Sequence, residues 1–356
     1  MDALRREIQV SELPVSYREA LVVAKELGLR YLWIDSLCIC QDSEADWLHE
    51  AAMMDKVYEH SKLNIAMAGA AQNSEPSFTA RSEAIIRPVL VEPSAASGNM
   101  SHSYYLVLQD YKKDVSESKL WGRAWVYQEI WLAPKILFLS NEQLTYRCKE
   151  GLASETFPGW EPDALRGKRK SRNDQDPEMT ASGLTHADWD NVVERYSQCE
   201  LTYASDKIIA ISGVAKVFQR SLQDEYVAGY WRSQMPAQLV WDATGDTCSR
   251  PIEYKAPSWS WASVESPINF SLDSKDEKSR AESGIRTVCN VEDITITLKD
   301  ATNKTGPIIG GLLTLRGSLH LVLPHDGDDG VELLLTAVHR FTTWPVRAPS
   351  ASLGSD

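Results

Sequence analysis

Residues 27–70 read LGLRYLWIDSLCICQDSEADWLHEAAMMDKVYEHSKLNIAMAGA, and this stretch decides the fold. The run from Tyr31 to Ile34 is short, aromatic and branched, which is typical of a strand that is covered on both faces. Asp35 follows it at the strand end where open α/β sheets usually bind ligands. Helical spacing over 46–59 and a second apolar run over 63–68 complete a β-α-β order. The stretch therefore predicts an α/β fold with a partly parallel central sheet that is flanked by helices.

The rest of the chain divides into parts by its composition. Residues 1–150 are predicted to hold the α/β core, and 151–187, rich in Gly, Pro, Asp and basic residues, a flexible excursion. Residues 188–340 are first helical and then β-rich, and we expect them to pack on the core, whereas 341–356 are predicted to be a disordered tail. The other predicted helices cover 11–29, 121–129, 188–199, 207–222 and 226–243, and the other predicted strands cover 88–91, 104–108, 135–139, 143–146, 288–291, 294–298, 312–315 and 319–322.

The composition argues against several classes of protein. A net charge of −13 makes a nucleic-acid partner improbable, because a phosphate-binding surface needs clustered Lys and Arg. No apolar run is long enough for a membrane span. The six cysteines include no CxxC pair and the N-terminus has no secretory signal, so free thiols and a cytoplasmic location are expected. Seven scattered histidines without ligand spacing predict that the chain has no metal site.

Three ordered motif blocks carry a family resemblance. The first joins LWIDSLCICQ at 32–41 to DWLHE at 46–50 and to VY at 57–58; the second is RAWVYQE at 123–129; the third is APSWSWASV at 256–264. Together these blocks resemble the fungal heterokaryon incompatibility (HET) domain. The resemblance implies a role in non-self recognition and regulated cell death, and a distant relationship to TIR domains.

Two carboxylates in the first block are candidates for catalysis. Asp35 could act as a base or accept a hydrogen bond from a sugar hydroxyl, although Asp-Ser also starts Asx-turns. Glu50 follows Trp47 by three residues on one helix face, and a carboxylate beside an aromatic wall suits acid–base work; the alternative is a solvated or ion-paired helix glutamate. The TIR analogy implies that Glu50 cleaves NAD at its nicotinamide–ribose bond. TIR enzymes usually place this glutamate four residues after the tryptophan, and here the gap is three.

The second block supplies a further set of candidates. Arg123 and Glu129 are candidates for a structural clasp, because neither charge tolerates isolation in a core, or for a direct catalytic role of Glu129. Cys38 is a candidate nucleophile, for which His49 is the nearest base in sequence. The residues that we expect to bind substrate are Trp33, Trp47, Arg123, Trp125, Gln128, Cys38, Trp259 and Trp261.

Three functions remain open from the sequence. The first is a HET-family protein of non-self recognition that cleaves NAD, which would then be a substrate and not a required cofactor. The second is a stand-alone enzyme of fungal specialised metabolism, in which Asp35, Glu50 and Glu129 promote cyclisation or isomerisation of an apolar small molecule. The third is a non-catalytic module that signals by forming a homo-oligomer.

Overall fold

The computed structural model describes residues 7–70, 72–78, 80–81, 83–92, 104–106, 118–160, 183–244, 253–270, 289–317 and 339–341. Contacts divide the chain into two compact units, Met1–Glu178 and Met179–Asp356. The α-helices are Val15–Glu26 (α1), Asp35–Cys38 (α2), Glu44–Glu59 (α3), Glu83–Ile86 (α4), Ala124–Leu132 (α5), His186–Tyr196 (α6) and Ile209–Leu222 (α7). The strands are Asn64–Ala66 (β1), Val89–Val91 (β2), Tyr104–Leu106 (β3), Lys135–Leu139 (β4), Leu144–Cys148 (β5), Gly151–Ser154 (β6), Tyr226–Val227 (β7), Tyr230–Trp231 (β8), Trp241–Ala243 (β9), Ile268–Phe270 (β10), Cys289–Leu298 (β11), Ile308–Gly317 (β12) and His339–Phe341 (β13).

The first unit is built on a mixed sheet in the order β1-β4-β5-β6. Strand β1 runs parallel to β4, and the other two pairings are antiparallel, so the predicted partly parallel α/β core is confirmed. One face of the sheet packs on α5 through Ile136 and Phe138 of β4, which form a buried cluster with Val126 and Ile130 of that helix. Helix α3 packs against α5 in turn.

Helix α3 shows how local sequence sets this packing. Ser43 caps it, since its side-chain oxygen accepts the backbone N–H of Asp46 at 3.2 Å. Trp47, Met54 and Tyr58 follow at positions i, i+7 and i+11 and therefore share one face of the helix. The predicted helix over 11–29 begins later, at Val15 after Pro14, because a short 3₁₀ turn precedes it.

The predicted strand over Tyr31–Ile34 is wrong. Ile34 has extended backbone angles (φ −132°, ψ 123°), but no described strand pairs with this run, and Tyr31 is 84% exposed. Strand β1 takes β4 as its parallel partner, so the run leads into the single turn of α2 without joining a ladder. An apolar pattern can indicate an extended segment, but it does not show whether a distant strand is available to pair with it.

The second unit surrounds an aromatic core. Trp189 of α6 packs its ring against Phe218, Tyr226 and Trp231, with ring centroids 5.2, 5.8 and 5.3 Å apart. Its indole N–H donates to the carbonyl oxygen of Gly229 at 2.9 Å, and the indole N–H of Trp261 donates to the same oxygen at 3.0 Å. The SWSWASV block at 258–264 therefore packs against the turn between β7 and β8. A separate antiparallel sheet has the order β11-β12-β13, which confirms the β-rich character predicted for this part.

Two further elements differ from the sequence expectations. The predicted helix over 226–243 is instead a hairpin, two 3₁₀ turns and strand β9, because Ala228 and Gly229 both take positive φ angles and Pro236 interrupts a helix. Part of the predicted flexible excursion pairs with β5 as β6. Residues 161–182, the predicted strand over 319–322 and the tail from 342 onward lie outside the described residues.

Candidate functional site

A cluster of four titratable side chains lies where α3 and α5 pack together. Tyr58 comes from the last turn of α3, and Glu129 from the middle of α5. The Tyr58 hydroxyl donates a hydrogen bond to the Glu129 carboxylate. Asp35, the first residue of α2, and Arg123, the N-cap of α5, are close enough for their charges to act on both groups. The fold thus brings together residues that are up to 94 positions apart in sequence, from 35 to 129.

Aromatic contacts hold this arrangement. Trp47 of α3 meets Trp125 of α5 edge to face, with ring centroids 6.3 Å apart, and so joins the two helices at a second point. Trp33 packs edge to face on Tyr58 at 5.8 Å. The side-chain amide of Asn64 on β1 donates to the backbone carbonyl of Glu129 at 3.4 Å. Glu129 is therefore held by Tyr58 of α3 and Asn64 of β1, and Trp33 in turn packs on Tyr58.

Burial determines the titration of Glu129. Its carboxyl group lies in the interior, and the loss of water raises its pKa from 4.5 to about 7. The hydrogen bond from Tyr58 opposes this rise, the negative charge of Asp35 adds to it, and the positive charge of Arg123 opposes it. A carboxyl group with this pKa is present in both protonation states near neutral pH, so it can donate or accept a proton there.

Tyr58 remains a neutral hydrogen-bond donor. Burial raises the pKa of its phenol well above the usual value, and the charges of Glu129 and Asp35 raise it further. A neutral phenol next to a carboxylate stabilises the charged form of that carboxylate. Tyr58 belongs to the first motif block, but nothing in the sequence marked it as a site residue. The only signal was its position on the same face of α3 as Trp47.

Asp35 forms the turn that one of its two sequence interpretations predicted. It is exposed at the surface of the cluster, and its Oδ1 accepts the backbone N–H of Ser36 at 2.7 Å, as expected for a turn-forming aspartate. Its charge also acts on Glu129, which places it at the site. Arg123 is exposed as well, and it acts on Glu129 through its charge. An exposed cation at the edge of the cluster is available to an anionic group of a ligand.

The other candidates from the sequence lie elsewhere. Glu50 is half-buried on α3, and it is not among the groups that act on Glu129 or Tyr58. Gln128 is buried, and Cys38 is an exposed free thiol. Trp259 and Trp261 belong to the second unit, where Trp261 is fully buried. Among the predicted residues, Asp35, Trp33, Arg123 and Glu129 contact Tyr58 or act on it through their charges, while Trp47 and Trp125 join the two helices.

A second polar cluster, in the other unit, resembles a hydrolase triad in composition only. The Oδ2 atom of Asp224 lies 3.0 Å from Nε2 of His186 and accepts the Ser233 hydroxyl at 2.5 Å. The Ser233 oxygen is 3.4 Å from that same His186 nitrogen. In a working triad the carboxylate holds Nδ1 and the serine faces Nε2. Here the Asp224 carboxylate itself accepts the hydrogen bond from the Ser233 hydroxyl. The geometry therefore does not activate Ser233.

No group of three or more His, Cys, Asp or Glu side chains within the described ranges could hold a metal ion. Among the helices that the structure describes, none has the length and apolar character that crossing a membrane requires.

Comparison with known proteins identifies the family of the first unit. The family model described as Heterokaryon incompatibility protein (HET) matches residues 2–129. No curated protein and no solved structure matches the chain. The matched range contains all four members of the cluster and ends at Glu129. Residues 2–129 of this chain therefore match the heterokaryon incompatibility family, as the first two motif blocks predicted.

Proposed function

We propose that this HET-domain protein acts in fungal non-self recognition and regulated cell death as an enzyme, and that Glu129 is its proton-transfer group. The observation that carries the proposal is the Glu129 carboxyl group, which lies beside Tyr58, Asp35 and Arg123. Its burial raises its pKa to about 7. Groups tuned in this way are concentrated in active sites, because a general acid or base works best when its pKa is near the working pH.

The reaction that we propose is hydrolysis of NAD at the nicotinamide–ribose bond. Nicotinamide leaves with the electrons of the broken C–N bond, and positive charge develops on the ribose, which the carboxylates of Asp35 and Glu129 would stabilise. Water adds to the ribosyl carbon, and ionised Glu129 takes its proton. The products are ADP-ribose, nicotinamide and one proton. Arg123 would bind the diphosphate, and Trp33 supplies an aromatic surface beside Tyr58.

Nicotinamide release by the purified chain tests this proposal. We expect chromatography to detect nicotinamide and ADP-ribose in equal amounts, and release to persist in Glu50→Gln but not in Glu129→Gln. The opposite pattern would move the catalytic role to Glu50, as the TIR analogy implies. Absence of release by the unmodified protein, under conditions where it is folded, would reject NAD cleavage.

A second function is favoured by the same pKa. Because Glu129 is partly protonated at neutral pH, it also suits acid-promoted cyclisation or isomerisation of an apolar small molecule. The two functions require opposite protonation states. NAD hydrolysis would accelerate as pH rises through about 7, where Glu129 ionises, whereas an acid-promoted cyclisation would slow over the same range.

Removing the Tyr58 hydroxyl should shift the pH profile. The hydrogen bond from Tyr58 lowers the pKa of Glu129, so Tyr58→Phe should raise that pKa above 7. Hydrogen bonds to charged groups contribute about 1.5–3 kcal/mol, which predicts an upward shift of about one to two units in the pH midpoint of activity. The measurement is the rate of nicotinamide release from pH 5 to 9. Tyr203→Phe, an exposed tyrosine in the other unit, is the control and should leave the midpoint unchanged; an unshifted midpoint in Tyr58→Phe would contradict the assignment.

A further inference from the structure

The sheet of the first unit has a second face that α5 does not cover. Side chains alternate along a strand, so Ile136 and Phe138 face α5, while Lys135 and Leu137 of the same strand face the other way. Tyr146 pairs with Leu137 across the sheet and lies on this second face. A parallel strand pair is normally covered on both faces by other elements. The second face of β1 and β4 is instead open as a groove.

The groove has a volume of about 550 Å³, which is the size of a small-molecule site. Its walls are apolar. The residues that form them are Leu27, Leu29, Leu63, Pro134, Leu137 and Tyr146. Leu27 follows α1 directly and is 54% exposed, although it lies beside other apolar side chains. None of Asp35, Tyr58, Arg123 and Glu129 lines this groove, so it is distinct from the cluster on α5.

The charges at the groove are of one sign. Lys62 and Lys135 both line it, and none of the described residues that line it is an aspartate or a glutamate. Because Asn64 pairs with Ile136, the two lysines lie at the same end of β1 and β4, where both strands begin. Neither forms an ion pair with a described residue. In a chain with a net charge of −13, two lysines beside an apolar groove make a local site for an anion.

We propose that this groove binds an amphipathic carboxylate. The apolar part of the ligand lies on Leu27, Leu63 and Leu137, and its carboxylate lies between Lys62 and Lys135. An apolar body matches the walls, and one negative charge matches the two ammonium groups. The inference is independent of the function proposed for Glu129, because the groove and α5 are on opposite faces of the sheet.

Calorimetric titration of the full chain with dodecanoate, below its micelle concentration, tests the proposal. We expect one molecule to bind per chain. Lys62→Glu and Lys135→Glu should each weaken binding about tenfold, since each reverses one charge-assisted contact. Leu27→Asp places a charge on the wall and should abolish binding, and its exposure allows the variant to fold. Lys304→Glu, an exposed lysine of the second unit, should bind as the unmodified chain does.

Three results would overturn the proposal. Equal binding of dodecan-1-ol would show that the carboxylate is not recognised. An equal loss of affinity in Lys304→Glu would show that only overall charge matters. Absence of dodecanoate binding, together with a concentration-dependent dimer that Leu27→Asp disperses in light scattering, would assign the groove to a second copy of the chain. Circular dichroism of each variant separates loss of binding from loss of folding.

Discussion

Replacing Glu129 with glutamine is expected to abolish activity and to stabilise the protein at alkaline pH. Glutamine keeps the size of the side chain but cannot transfer a proton, and general acid–base groups contribute about 10²–10⁴-fold in rate. The pKa of Glu129 is higher in the folded protein, about 7, than its ordinary value of 4.5. The stability that comes from the protonated group is therefore complete below about 4.5 and is lost as pH rises through about 7.

The stability of Glu129→Gln should not follow this pH dependence. Relative to the unmodified protein, the variant should gain about 3 kcal/mol in its free energy of unfolding when pH is raised from 4 to 8. Urea unfolding at the two pH values measures this difference, and nicotinamide release measures activity in the same samples. Glu50→Gln is the matched control and should show neither effect. If the unfolding difference between Glu129→Gln and the parent were constant across pH, the raised pKa of Glu129 would be refuted.

Replacing Gly229 with alanine is expected to cause the largest loss of stability in the second unit. A Cβ at this position would lie 2.4 Å from Nε1 of Trp261, and the residue has a φ of +104° that side chains rarely adopt. Strain and overpacking of this kind each cost about 1–3 kcal/mol, so a loss of about 3 kcal/mol or more is expected. The fall in the midpoint of urea unfolding, followed by tryptophan fluorescence, measures it.

Gly28→Ala separates backbone strain from the clash. Gly28 also has a positive φ, +66°, but an added Cβ there would have no atom within 4 Å. This variant should lose only about 1 kcal/mol. Equal losses in the two variants would mean that the contact with Trp261 is not tight, and that the SWSWASV block does not depend on the turn between β7 and β8.

Elements that local chemistry determines were predictable from the sequence. Ser43 starts α3 as a capping residue should, and the polar residues 140–142 separate two apolar runs that form the hairpin of β4 and β5. The strand predicted over 31–34 failed because a strand also needs a partner, and the sequence does not say that β1 pairs with β4. The turn at Ala228 was missed because alanine rarely adopts a positive φ.

The candidate site was only partly predictable for a related reason. Asp35 and Glu129 stood out as carboxylates in the motif blocks, but the sequence could not show which carboxylate is buried. The pKa of Glu129 depends first on the loss of water when α5 packs on α3 and the sheet. Tyr58 becomes important only because that packing places its hydroxyl on Glu129. Such properties belong to tertiary contacts and are absent from any local pattern.

The parallel pairing of β1 with β4 also sets how much of the chain must be synthesised before Glu129 is held in place. Residues 64–66 can pair only after residues 136–138 have been synthesised, and contacts between residues far apart in sequence form slowly. Asn64, which holds the backbone of Glu129, takes part in that pairing. A ribosome-bound chain that has not yet extended past β4 lacks this support, so the surroundings of Glu129 are complete only after β4 has been synthesised.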